Sequence, residues 1–261
     1  LATFKLYSRL SSKSDIVKNP GFYGFTVFDV INLADNKSTT ELINGKWFDV
    51  HTVRQVQLYP LRAGVFSIDP MEVQNEVAFT KSSVYNKPEQ EITEGLLFEK
   101  AKGENSYENT ISTKAVMITV KALPEHNKPE DFAGATGKFN ISSRLVKNEI
   151  AKNEEGFFEV MVSGKGNFTQ LAAPEIKWPD GIEGFAPIIK DSMDKMKFPL
   201  EGFRIFRYPF IAAKPGTYIL PAIRFSFFDT EAKQYKSVAA DTLQISVSHE
   251  MLTAAAPNHQ K

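Results

Sequence analysis

Apolar and polar residues alternate one for one along much of this chain, and no other feature of the sequence constrains the fold so strongly. A strand turns successive side chains to opposite faces, so period-two alternation marks a half-buried strand. Thr3–Leu10 sets Phe4, Leu6 and Ser8 against Lys5, Tyr7 and Arg9. Val50–Leu58 likewise sets Val50, Thr52, Arg54, Val56 and Leu58 against His51, Val53, Gln55 and Gln57. Lys114–Val120 closes the first half. Gly137–Val146, Phe157–Ser163, Phe203–Phe210, Tyr218–Phe228 and Leu243–Val247 read as strands in the second. Helical periodicity is confined to a weak stretch at Glu91–Lys102. The 21 Phe and 8 Tyr agree with this reading, because aromatic rings fit pleated, half-buried surfaces. The expected fold is all-β, with two tandem immunoglobulin-like β-sandwich domains sharing the 261 residues.

The boundary is expected at Ala122–Pro129, where Pro124 and Pro129 stiffen a polar connector. This gives a first domain over 1–121, a second over 122–250 and a flexible tail over 251–261. A weak internal repeat relates the halves. Leu58, Pro60, Gly64, Phe66, Ile68 and Pro70 in the first correspond to Phe210, Gly216, Tyr218, Leu220 and Pro221 in the second. The expected structure at each copy is a hairpin whose turn needs the glycine. Gly64 lies 56 residues before Val120 and Gly216 lies 31 before Val247, a difference of 25. An insertion at about 81–112, polar and expected to be mobile or partly helical, accounts for it. The chain is expected to begin inside its first domain, near Leu1–Leu10, with an upstream strand and a further N-terminal domain preceding it.

Lysine plus arginine and aspartate plus glutamate both number 31, so no basic surplus points to nucleic acid or to an anionic membrane surface. The absence of cysteine excludes a disulfide framework, a thiol nucleophile and Cys-ligated zinc. No run approaches the 18 or so apolar residues of a membrane span. His51, His126, His249 and His259 share no metal-ligand spacing. Gly164-Lys165-Gly166-Asn167 lacks the length and the Lys-Ser/Thr ending of a phosphate loop, and reads as a turn or bulge. Glu125, Glu130 and Asp131 cluster at the connector with Lys128 among them, and read as solvated acids rather than a calcium site. The reading is therefore non-enzymatic: no catalytic residue, metal or cofactor. Trp178, Phe185 and Tyr23, in Gly/Pro-rich surroundings, are the candidate exposed aromatic contacts, and a glycan-binding or adhesin-like module is the alternative they suggest.

One segment is more specific. A strand ends in Leu123-Pro124, and after it come Lys128-Pro129, Phe132, Gly134-Ala135, Gly137 and Phe139. This order resembles the hallmark of the Bacteroides aerotolerance BatD family, except that Thr136 stands where the family often has Val. The resemblance continues through Ser163–Asn167, Pro215–Pro221 with Gly216 and Tyr218, and Phe225–Asp229. It takes in Lys5–Arg9, Gly24-Phe25, Asn44–Lys46 and the Leu58–Pro70 segment with Gly64. It implies a membrane-anchored protein whose sandwich domains face the periplasm ahead of a C-terminal transmembrane helix. The resemblance also implies neighbours that include von Willebrand A-domain membrane proteins, and a link to oxygen and stress tolerance. No catalytic residues come with it. The expected role is a scaffold that docks onto partner ectodomains.

Overall fold

The computed structural model describes residues 1–10, 12–30, 38–79 and 105–249. All regular structure among them is strand, and no described helix is long and apolar enough to cross a membrane. The chain divides into two compact units, Leu1–Ala122 and Leu123–Lys261.

In the first unit, β1 (Ala2–Ser8), β3 (Phe25–Asp29) and β4 (Thr39–Ile43) all pair with the long β5 (Lys46–Pro60). A second sheet runs β2 (Ser12–Lys18), β7 (Glu72–Phe79), β8 (Asn105–Ser112), and β6 (Gly64–Ile68) pairs with β9 (Val116–Val120). The second unit has a seven-stranded and a three-stranded sheet, a sandwich-like arrangement. In the larger, β10 (Phe132–Leu145), β12 (Glu155–Asn167) and β15 (Glu201–Ala212) form the centre. β13 (Ile182–Gly184) and β14 (Ile188–Asp194) lie on β15, while β17 (Arg224–Asp229) and β18 (Gln234–Ala239) extend the β10 side. The smaller sheet is β11 (Glu149–Ala151), β19 (Leu243–Ser248), β16 (Gly216–Leu220).

The repeat is real, but its structure is not a hairpin. β6 pairs with β9, and Gly64 stands opposite Val120; β16 pairs with β19, and Gly216 stands opposite Val247. In both units the chain leaves the long strand at the glycine and crosses to another sheet. Two hydrogen bonds recur as well: Leu61 N–H donates to Gly24 O at 2.9 Å, and Ala213 N–H to Gly181 O at 3.0 Å. For the same reason Tyr218–Phe228 is two strands in two sheets, broken at Pro221, whose ring leaves it without an N–H for a ladder. The expected insertion also needs correction. Its end, Asn105–Ser112, is β8, which pairs with β7 along its length; residues 81–104 lie outside the described residues, as does the tail at 251–261.

Gly164-Lys165-Gly166-Asn167 is likewise no turn but the last stretch of β12, paired with β10 on one side. The glycines have a steric cause. A Cβ on Gly137, Gly164 or Gly166 would run into the backbone of the facing strand, and their φ angles of 142°, 152° and 150° suit glycine alone. This close approach lets β10 join β12 to β17, whereas β1 and β7 lie in separate sheets of the first unit. Val160 and Val162 of β12 are fully buried, while Phe4 and Leu6 of β1 are half-buried. Phe139 is the hub of the second core, meeting Phe168, Phe225 and Phe227 edge-on at 5.2, 6.0 and 5.7 Å.

Candidate functional site

The solvent-facing side of the seven-stranded sheet is built by register. Phe158, Val160 and Val162 fill the inner side of β12, so the alternate residues Phe157, Glu159, Met161 and Ser163 point outward. Pairing with the neighbouring strands arranges them into rows. Arg144 of β10 stands opposite Glu159, Glu159 opposite Arg207 of β15, and Arg207 opposite Ile188 of β14. The next row is Ser142, Met161, Ile205 and Lys190, and the one after it Asn140, Ser163, Phe203 and Ser192. On the other side of the arginine row Phe157 faces Pro209, whose carbonyl accepts the Phe185 N–H at 2.9 Å.

Glu159 is only 3% exposed despite its place on the outer face, because the two arginines close over it. Arg144 Nε donates to its Oε2 at 2.7 Å and Arg207 Nε to its Oε1 at 2.6 Å. The Nη2 group of each approaches the same oxygen at 2.5 Å. Burial pushes the Glu159 carboxyl up, but the hydrogen bonds and charges of Arg207 and Arg144 outweigh it and hold it below the ordinary glutamate range. It is therefore ionised at neutral pH. The Arg207 guanidinium also lies over the Phe157 ring, 5.6 Å from its centroid. The three central rows together carry Arg144, Arg207 and Lys190 against the single buried Glu159, with Ile188 and Phe203 exposed beside them.

The three sequence candidates do not form one platform. Tyr23 is 75% exposed but belongs to the first unit. Trp178 is half-buried, its ring 5.4 Å from Phe210, 6.1 Å from Phe158 and 6.5 Å from Tyr208, and it rests on the bare backbone of Gly184. It is a plug of the core, not an exposed aromatic. Phe185, 43% exposed, does lie on the outer face next to Pro209. The motif residues are structural. Phe132 meets Tyr235 edge-on at 5.0 Å, and the Tyr235 hydroxyl donates to Pro124 O at 2.7 Å. Phe132 N–H donates to Pro129 O at 3.1 Å, and the Tyr218 hydroxyl to Lys214 O at 2.7 Å. Gly134 has a φ of 95°. Pro129, Phe132 and Pro221 share the wall of an open cleft of about 880 Å³. Among the expected solvated acids, Glu125 pairs with Lys128 at 3.3 Å and Asp131 accepts the Ser226 hydroxyl at 2.7 Å.

Sequence reading missed the Arg144–Glu159–Arg207 trio. Its signal was a single charge inside the apolar run Phe157–Val162, which calls for partners that only strand pairing supplies.

No curated protein and no solved structure matches the chain. A family model described as BatD DUF11 like domain matches residues 143–247, from the last three residues of β10 into β19, and so takes in Arg144, Glu159 and Arg207 but not Asn140 or Ser142. This match, over 105 of the 261 residues, supports the BatD resemblance read from the sequence and places it in the second unit.

Proposed function

We propose that this chain is a non-enzymatic scaffold and interaction module of a membrane-anchored BatD-family protein. On this reading its units face the periplasm and contact the ectodomains of partner membrane proteins, von Willebrand A-domain proteins among them, in oxygen and stress tolerance. The observation that supports the reading is the outer sheet face of the second unit. There a buried carboxylate holds two arginines in place amid exposed Ile188, Phe203 and Phe185. Arginine and aromatic side chains on a rigid sheet are the composition of protein-binding surfaces.

The test is co-purification of this chain with the ectodomains of the membrane proteins encoded beside it. The expected result is a stoichiometric complex. Absence of any complex at about 50 μM, equivalent to docking weaker than about 6 kcal/mol, overturns the proposal.

A further inference from the structure

We infer that the outer face of β10, β12, β15 and β14 takes an aspartate or glutamate of a partner protein between Arg144 and Arg207, with that residue's apolar neighbours seated on Met161, Ile188 and Phe203. The inference rests on the interaction-module reading and names its surface and the chemistry of its partner.

Each guanidinium has five N–H donors. Glu159 engages Nε and Nη2 of both arginines, and neither Nη1 has a protein partner among the described residues. Neighbouring strands are about 4.8 Å apart, so the Arg144 and Arg207 backbones flank β12 on either side of Glu159, about 10 Å apart. Two arginines left alone there would repel and lose order. The buried Glu159 holds them instead, so an incoming carboxylate meets side chains already ordered, and less side-chain entropy is lost on docking. Lys190, one row away and exposed, adds a third cation to three rows whose only anion is enclosed, with Asp194 and Glu201 one row beyond them. That charge selects an acidic partner. The apolar side chains in the same rows select a protein over a simple anion: Ile188 is 51% exposed and Phe203 37%. A nucleic acid would call for a longer basic track than three cations.

The test places the photo-crosslinker p-benzoylphenylalanine at Ser192, on this face, or at Lys152, beside the three-stranded sheet, in the full-length protein in its own cells. Mass spectrometry then identifies the crosslinked peptide. Crosslinking from Ser192 is expected to reach a partner peptide with Asp or Glu within a few residues of the attachment point. Its yield is expected to fall about tenfold in Arg144→Ala and in Ser142→Glu. Neither variant threatens the fold: Arg207 still holds Glu159 in the first, and Ser142 is exposed. Unchanged yield in both variants, crosslinks from Lys152 alone, or crosslinks from Ser192 to a second copy of this chain would each overturn the inference. If co-purification succeeds while Ser192 gives no crosslink, the face is wrong and the module reading stands. If co-purification fails as well, both fall.

Discussion

Replacing Phe139 by leucine separates two accounts of the second core. Leucine keeps most of the apolar volume, and a swap of that kind in a core costs less than about 1.5 kcal/mol when volume alone matters. Phe139 is 4% exposed and its ring meets Phe168, Phe225 and Phe227 at interplanar angles of 87°, 88° and 80°. Each such edge-to-face pair contributes about 0.5–1.5 kcal/mol beyond buried area, so losing all three costs about 1.5–4.5 kcal/mol. The expected loss is about 3 kcal/mol. For a unit of this size, with a urea slope of about 2 kcal/mol/M, the unfolding midpoint falls by about 1.5 M. The assay follows tryptophan emission in urea. Trp47 is 65% exposed and lies in the first unit, so a Trp47→Phe background leaves Trp178, inside the second core, as the only reporter. Phe185→Leu serves as the exposed control and is expected to change stability by less than about 0.5 kcal/mol. A loss below about 1 kcal/mol for Phe139→Leu with an unchanged slope would refute the aromatic account.

Two further perturbations probe the packing and the electrostatics of the second unit. Gly184→Ala drives a methyl into the Trp178 ring and is expected to cost about 3 kcal/mol and shift Trp178 emission to the red; an unshifted spectrum at wild-type stability would contradict the plug assignment. Asp229 accepts the Ala232 and Glu231 N–H groups and pairs with Lys236 at 2.7 Å, and together these bring its pKa down to about 2 against the upward push of burial. Because the folded value lies below the unfolded one, this carboxylate stabilises the fold above the ordinary aspartate range, and the contribution is lost as pH falls from about 4 through 2. Thermal melts over that range should show Asp229→Asn losing less stability on acidification than the unmodified chain, and parallel curves would sink the assignment.

Alternation alone carried the sequence to an all-β chain. Rows such as Phe4, Leu6 and Ser8 have one face to bury, and period two leaves no other regular structure that can do so. The glycine-marked repeat was legible too, because Gly64 and Gly216 precede the same spacing of apolar residues. The partner of each strand was not legible. A glycine between two strands reads as a hairpin turn whether the chain folds back or crosses to another sheet, and only long-range pairing with β9 and β19 settles it. The phase of β12 was equally open, since Phe157 and Phe158 are both apolar and either could have faced the core. Trp178 drew attention by its loop-like setting, yet its burial depends on Gly184 and on three rings from β12 and β15. The outer face shows the limit most clearly. Arg144, Glu159 and Arg207 are separated by 15 and 48 residues, and nothing local relates them. The sequence by itself determined that strands would form and that one charge would sit in an apolar run. Tertiary register decided that two arginines would flank that charge, because pairing between strands, not spacing along the chain, sets which side chains meet.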